Sequence, residues 1–321
     1  MKKIRVIDIA HPLSKDIDPD RHIDVQAVDS AVNRCSAAAT SALKCPPTGY
    51  SELQSVHISW IFDSMRFTHV TIRNLLTQGP RTPACVDALA LTRLQLETLY
   101  STCLITQDSS FADDYVKNFW KDNYVRFLLV REEHKTLPRF DSYINSDGQT
   151  VLAQLQHASG VTDEEKATIE FEELGTPLPL GMKLVNIRRF PQPWGVITKI
   201  ADPDRKRMLM RLYPEYRRLC AFAHGSPQSS MFKTAFWERS PVQRVTPESS
   251  RQNVFEKEVV EPAIFYSLLS VVQSACELAV IYPTDVELRR TVIEAWNLLV
   301  DSHLLGRIIW EIRTKAALNI I

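Results

Sequence analysis

From Ser51 onward the chain carries apolar residues at helical intervals. Val56, Trp60, Phe67 and Val70 are separated by four, seven and three positions, which puts them on one face of a helix that Gln78-Gly79-Pro80 brings to an end. That stripe is expected to face a core. A second helix is expected to start at Thr82-Pro83, a hydroxyl N-cap followed by a residue whose missing N–H is harmless in a first turn, and to carry Leu89, Leu96, Leu99 and Cys103 inward. A third follows Ser109-Ser110, with Asp113 and Asp114 complementing the helix dipole and Val116, Trp120 and Phe127 on its inner side. Pro262 to Tyr282 is apolar almost all round. Such a helix belongs either to the centre of a bundle or to lipid, and Glu277 and Gln273 within it favour the bundle over a membrane span. Two long helices, about 255 to 282 and 285 to 317, are expected to close the chain. The pattern predicts an all-α protein, an antiparallel helical bundle with little or no β-structure.

The remaining stretches lack this regularity. Residues 1–50 are mixed in character. Asp16, Asp18, Asp20 and Asp24 are spaced like the start of a calcium loop, but Arg21 stands where such a loop needs glycine and Ala27 where it needs glutamate, so no metal is assigned. Residues 51–320 read as the bundle domain, interrupted by an irregular insertion at about 138–193 and a long Ser- and Pro-rich loop at about 226–253. The insertion holds an Asp147-Gly148 turn, a capping box at Thr162 to Glu165 and an acidic surface through Glu170, Glu172 and Glu173.

Composition narrows the function classes. The 321 residues are 45% hydrophobic, enough for a full core, and 38 Lys and Arg balance 38 Asp and Glu. A neutral chain is not a general duplex-DNA binder, so any nucleic-acid site must be local. The first residues contain no continuous apolar run of the export type, which suggests a cytoplasmic protein. Six cysteines without a Cys-x-x-Cys pair read as reduced thiols. With nine glycines and neither a Gly-x-Gly-x-x-Gly nor a Gly-Lys-Ser/Thr loop, no nucleotide-binding domain and no cofactor are expected.

One element concentrates chemistry: Tyr216-Arg217-Arg218 through His224-Gly225-Ser226. Positions seven apart on a helix lie within about 20° of each other, so Arg217 and His224 share a face about 10 Å apart, whereas Arg218 points elsewhere. His224 stands at a helix C-terminus, where the dipole favours a cation. An arginine that binds phosphate and a histidine that moves protons suffice for metal-independent RNA cleavage, in which the 2′-hydroxyl attacks the neighbouring phosphodiester. Between Lys199 and Arg218 the chain carries Lys199, Arg205, Lys206, Arg207, Arg211, Arg217 and Arg218 against Asp202, Asp204 and Glu215, its most basic stretch and the expected RNA-binding surface. The plainer alternative is a histidine satisfying terminal carbonyls and an arginine paired with a neighbouring acid. Arg93 and Glu97, four apart, are expected to form an intrahelical ion pair that could orient the Arg217/His224 pair. His303 reads as a core histidine, and His57, His69, His134 and His157 show no partner pattern.

The Arg-x(4–6)-His spacing resembles the signature of the HEPN superfamily, helical bundles that commonly dimerise and include metal-independent ribonucleases of toxin and antiviral systems. Arg217 fits with six intervening residues and Arg218 with five; Arg218 as the polar residue after Arg217 favours Arg217. More loosely, Trp194 through Ala201, Tyr216 to Leu219, His224-Gly225-Ser226 and Leu91 to Glu97 look similar to a bacterial helical family of unknown function over about residues 80–280. The resemblance implies a HEPN-like bundle in which Arg93, Glu97 and the Tyr216 to His224 helix converge, a homodimer, and cleavage of RNA by Arg217 and His224. The competing expectation is a noncatalytic sensor or interaction protein that binds a phosphate ligand or a protein partner through the same helix, the acidic 163–173 surface and the 226–253 loop.

Overall fold

The computed structural model describes residues 25–77, 83–136, 148–162, 169–171, 182–184, 190–224, 227–235 and 255–318. The helices are α1 (Val25–Ala42), α2 (Glu52–Thr77), a 3-10 turn (Pro83–Val86) leading into α3 (Asp87–Ile105), α4 (Ser110–Thr136) and α5 (Gly148–Ser159). They continue with α6 (Pro193–Lys199), α7 (Pro203–Ala223), α8 (Pro227–Ala235), α9 (Glu261–Ile281), α10 (Val286–Ser302) and α11 (Leu304–Ile309). π-helical turns at Glu256–Val260 and Trp310–Thr314 precede α9 and follow α11. The protein is all-α apart from one ribbon, in which β1 (Ile169–Phe171) pairs antiparallel with β2 (Met182–Leu184). The chain divides into two compact units, residues 1–107 with 193–321, and residues 108–192.

In the first unit α9 is the central helix. Its residues from Ala263 to Ala279 are buried almost without exception, and it packs on α1, α2, α3 and α10. Its most apolar 18-residue window is 83% buried, so its apolar circumference is covered by other helices. Helix α3 is the second internal element, lying against α2, α6, α7 and α9. It tolerates burial of Thr92, Ser101, Thr102 and Thr106 because each hydroxyl donates to the carbonyl four residues earlier. Leu89, Leu96, Leu99 and Cys103 are fully buried there, as their spacing predicts.

Two helices of this unit depart from expectation, each for a physical reason. The Val56, Trp60, Phe67 and Val70 stripe of α2 faces solvent, with Trp60 61% and Phe67 62% exposed. Helix α2 has a second stripe, Ile58, Ile61, Phe62, Met65, Ile72 and Leu76, about 180° round the helix, and this is the buried one. Within the segment read as mixed, α1 is a core helix: Val28, Ala31, Val32, Cys35 and Ala39 are buried against α9 and α10. Small residues make its pattern faint and its packing close. The expected loop at 226–253 contains α8, while residues 236–254, the aspartates of 16–24, and residues 163–168 and 172–173 lie outside the described set.

Buried charge holds the middle of this unit together. Glu277 on α9 is completely buried and accepts hydrogen bonds from Arg205 Nη2 at 2.6 Å and from Arg313 Nε and Nη2 at 3.0 and 2.9 Å. Gln273 donates to the same carboxylate at 2.8 Å, and Arg313 reaches Asp202 at 2.8 Å. The π turn matters here: it brings the consecutive residues Arg313 and Thr314, both buried, towards α9, where Thr314 donates to Gln273 Oε1 at 3.0 Å. Burial alone would raise the Glu277 pKa, but the two guanidinium groups outweigh it and hold the carboxyl below its usual range.

The last long helix breaks at His303, whose backbone is extended at φ −154° and ψ 133°. The imidazole stacks on Phe265 at 3.7 Å, and its Nδ1 accepts the Leu305 N–H at 3.1 Å, capping α11. The break brings Gly306 so close to α10 that a Cβ there would lie 2.8 Å from the Leu299 carbonyl oxygen. Burial lowers the pKa of His303. A histidine whose folded pKa is depressed stabilises the fold fully above its unfolded value, about 6.5, and loses that contribution as the pH falls through its folded value. Unfolding free energy measured by urea titration should therefore fall on going from pH 7.5 to pH 5.5. The fall should be smaller in His303→Asn; an equal fall in both proteins would contradict the assignment.

In the second unit α4 packs on α5, with Tyr124, Leu128 and Val161 as its buried cluster and Val125, Leu152 and Leu155 around it. Phe127 is buried as expected. Trp120 is instead 36% exposed and lies edge-on to Phe119. The stretch expected as an irregular insertion at 138–193 thus contributes α5 and the β-ribbon to a unit that begins at Asp108.

Candidate nucleic-acid interface

The basic stretch forms one strongly amphipathic helix, α7. Asp202 caps it by accepting the N–H groups of Asp204 and Arg205, Pro203 opens it, and the His224 N–H closes it on the Cys220 carbonyl. Met208, Leu209, Leu212, Tyr216, Leu219 and Phe222 form its inner face. Arg207, Met210, Arg211, Pro214, Arg217 and His224 recur at three, one, three, three and seven positions and form its exposed outer face.

The sequence-predicted residues separate on this helix. Arg217 and His224 are both exposed on the outer face, and among the described residues neither side chain has a hydrogen-bond or ion-pair partner. The arginine next to them is occupied: Arg218 donates from Nε and Nη2 to Glu215 at 2.8 and 2.5 Å and stands 3.9 Å from Glu258. Its burial opposes the charge, yet the bond to Glu215 holds its pKa above the usual arginine value. Of the expected RNA-binding set, Lys206 is half-buried, Arg211 is exposed, Lys199 is exposed at the end of α6, and Arg207 is exposed but engaged by Asp204. Arg205 does not belong to the surface at all. It is 3% exposed and serves the Glu277 cluster, because its position on α7 is one turn from Met208 and Leu209 on the inner face.

Tyr216, Arg93 and Glu97 converge. Arg93 donates to Glu97 at 2.8 Å and to the Tyr216 hydroxyl at 3.3 Å, and that hydroxyl donates to Glu97 at 3.0 Å. The Arg93 guanidinium also lies 5.5 Å from the centre of the Tyr216 ring. Burial disfavours the Arg93 charge, but hydrogen bonds to Tyr216 and Cys220 and the field of Glu97 outweigh it and raise its pKa. Burial pushes the Tyr216 phenol up as well, so it remains a neutral donor. The triangle clamps α7 to α3 just beneath Arg217 and fixes the direction of the outer face.

Several features near the site are not legible from spacing. Trp194, 53% exposed on α6, packs on Tyr213 at 5.2 Å, and Tyr213 stacks on Tyr216 at 6.0 Å, giving the basic face an aromatic border. Elsewhere, His69 shares a hydrogen bond with Ser267 at 2.7 Å and stands 3.5 Å from Asp29, which Arg73 also engages at 2.8 Å. The order Ser-His-Asp is that of a hydrolytic triad, but Ser267 is fully buried, so this cluster clamps α1, α2 and α9 and meets no substrate. None of the six cysteines forms a disulfide, and burial raises Cys103, Cys276 and Cys35, the last to about 12, which keeps these three as thiols. Among the described residues no three His, Cys, Asp or Glu side chains are grouped to hold a metal ion. Comparison of the chain with family models, curated proteins and solved structures finds no match.

Proposed function

We propose that the outer face of α7 binds RNA and that Arg217 and His224 cleave it, making the protein a metal-independent endoribonuclease of the HEPN type. The observation that carries this reading is the contrast along one helix: Tyr216 and Arg218 are tied down, while the Arg217 and His224 side chains share the open face with no partner among the described residues. Phosphates would be drawn to Arg211, Arg217 and Lys206, and bases would stack on the exposed Trp194. In the reaction the 2′-oxygen bonds to phosphorus and the bond from phosphorus to the 5′-oxygen breaks. The 2′-hydroxyl proton passes to water, His224 protonates the departing 5′-oxygen, and Arg217 balances charge on the non-bridging oxygens. About 10 Å of helix separates the two residues, so Arg217 must extend towards the helix C-terminus for both to reach one phosphodiester. A cytoplasmic setting, in host defence or a toxin system, is part of the same proposal and accords with six cysteines that form no disulfide.

The binding step is tested with a fluorescent single-stranded RNA in EDTA. The double variant Arg211→Glu, Arg217→Glu should weaken binding at least about 10-fold at 0.1 M salt and flatten its salt dependence, whereas Arg290→Glu on α10 should not. Equal affinity in the double variant and the wild type would place the RNA elsewhere. A second reading has its own observation: the Arg217/His224 face is convex helix surface, open to solvent, which suits a noncatalytic sensor that holds a phosphate ligand or a protein partner. Binding that depends on Arg217 with intact RNA recovered would select it.

A further inference from the structure

The most prominent surface feature not used by the proposed function is the outward stripe of α2. Leu53, Val56, Trp60, Phe67 and Val70 are 60, 43, 61, 62 and 46% exposed, and all lie within about 100° of one another around the helix. Leu94 of α3 adds a further 46% exposed leucine, and a groove of about 560 Å³ between α2 and α3 is lined by Trp60, Phe67, Ser64, Thr71 and Leu91. Six large apolar side chains expose on the order of 600 Å² here, at the upper end of what a monomer ordinarily leaves as one patch.

We propose that this stripe is a two-fold interface with a second copy of the chain, in which the two α2 helices pack antiparallel. The spacing argues for self-pairing. The outward positions 53, 56, 60, 63, 67 and 70 alternate intervals of three and four, the a/d seam of a coiled coil, and the series is its own mirror image about the point between 61 and 62. A two-fold axis at that point sets Leu53 against Val70 of the second copy and Val56 against Phe67, so apolar residues meet apolar residues at both ends. At the centre each Trp60 meets Asp63 of the second copy, an indole N–H donor facing a carboxylate. An isologous contact requires such self-complementarity, since one patch must serve both sides. The exposed apolar area is about three quarters of the roughly 800 Å² per partner of a stable interface, with the polar residues of the seam to be added. Helix α3 packs on both α2 and α7, and the stripe includes no residue of α7. The proposal is independent of RNA cleavage and uses a different surface from the Arg217/His224 face of α7.

Sedimentation velocity over about 1 to 100 μM protein, well above the dissociation constants usual for interfaces of this size, tests the claim directly. The full chain should sediment as a dimer, and Trp60→Glu with Phe67→Glu should sediment as a monomer with an unchanged circular dichroism spectrum. Ser64→Lys, which places like charges near the axis without touching the core, should weaken the dimer in the same direction. Register is read by oxidation in a Cys45→Ser background: Val56→Cys with Phe67→Cys should cross-link into covalent dimers and Val56→Cys alone should not. A monomeric wild type across the range, or a dimer that survives both the double substitution and Ser64→Lys, would overturn the proposal. Cross-linking by Val56→Cys alone would overturn the antiparallel register.

Discussion

Glu277→Gln should lower the free energy of unfolding by about 3–5 kcal/mol, the largest stability effect expected of any conservative substitution in this protein. Glutamine has nearly the shape of glutamate but removes the charge that Arg205 and Arg313 share, leaving two cations in a site where Glu277 itself is 0% exposed and the arginines 3 and 5%. Among the described residues only Arg313 has a further carboxylate within reach, Asp202 at 2.8 Å, so the stranded charge falls mainly on Arg205. Urea unfolding followed by circular dichroism at pH 7 reads the loss. The pH dependence has a defined sign. Because Arg205 and Arg313 hold the Glu277 pKa below its usual range, its stabilisation is complete above that range and disappears as the pH falls through the folded value. The acid-induced decline of the wild type should accordingly be reduced in Glu277→Gln. Replacing Glu277, Arg205 and Arg313 together by apolar residues should cost far less than the single change, since no charge is then left without a partner.

This cluster marks where sequence reading reaches its limit. Glu277 was visible as an ionisable residue on an otherwise apolar helix, and that was enough to place the helix in a core. Its partners were not visible, because Arg205 and Arg313 lie 72 and 36 positions away and converge only through tertiary packing. The same distance blindness put Arg205 among the surface cations: charge count cannot tell which face of α7 an arginine occupies, whereas its spacing of three from Met208 was a usable signal.

Periodicity erred in a different way on α2. A stripe with period 3.6 states that a face is apolar, without stating what covers it, and α2 carries two such faces. The aliphatic one, with Ile58, Ile61, Met65 and Ile72, went to the core, and the aromatic one remained outside. By contrast the inner positions of α3 and the apolar run of α9 follow from their pattern, while their starts do not: Thr82 lies outside the described residues, α3 begins at Asp87 after a 3-10 turn, and neither helix has a side-chain cap. Helix α1 is faint in the sequence because alanine, serine and cysteine give a weak apolar contrast even when they pack closely. Near the candidate site, the Arg93/Glu97 pair followed from its spacing of four. The Tyr216 hydroxyl that completes the triangle comes from 119 residues beyond Glu97 and needed the fold.

What distinguishes α7 from an ordinary amphipathic helix is the state of its side chains. Arg218 and Arg207 have carboxylate partners within one turn, as surface arginines on helices commonly do. Arg217 and His224 have none among the described residues, and the Tyr216/Arg93/Glu97 triangle fixes the helix beneath them. His224 is exposed at a helix end, so replacing it removes no core contact. A loss of function in His224→Ala can then be separated from a loss of fold, which should show as an unchanged unfolding midpoint.

The central claim is that His224 supplies a proton in RNA cleavage, and cleavage kinetics of wild type and His224→Ala test it most directly. Purified protein, single-stranded RNA and excess EDTA should yield products ending in 2′,3′-cyclic phosphate, and His224→Ala should cut about 10²- to 10⁴-fold more slowly, the usual contribution of a positioned general acid, while binding the same RNA equally well. Cleavage at the wild-type rate by a folded His224→Ala protein, or intact RNA with the wild type, would contradict the account.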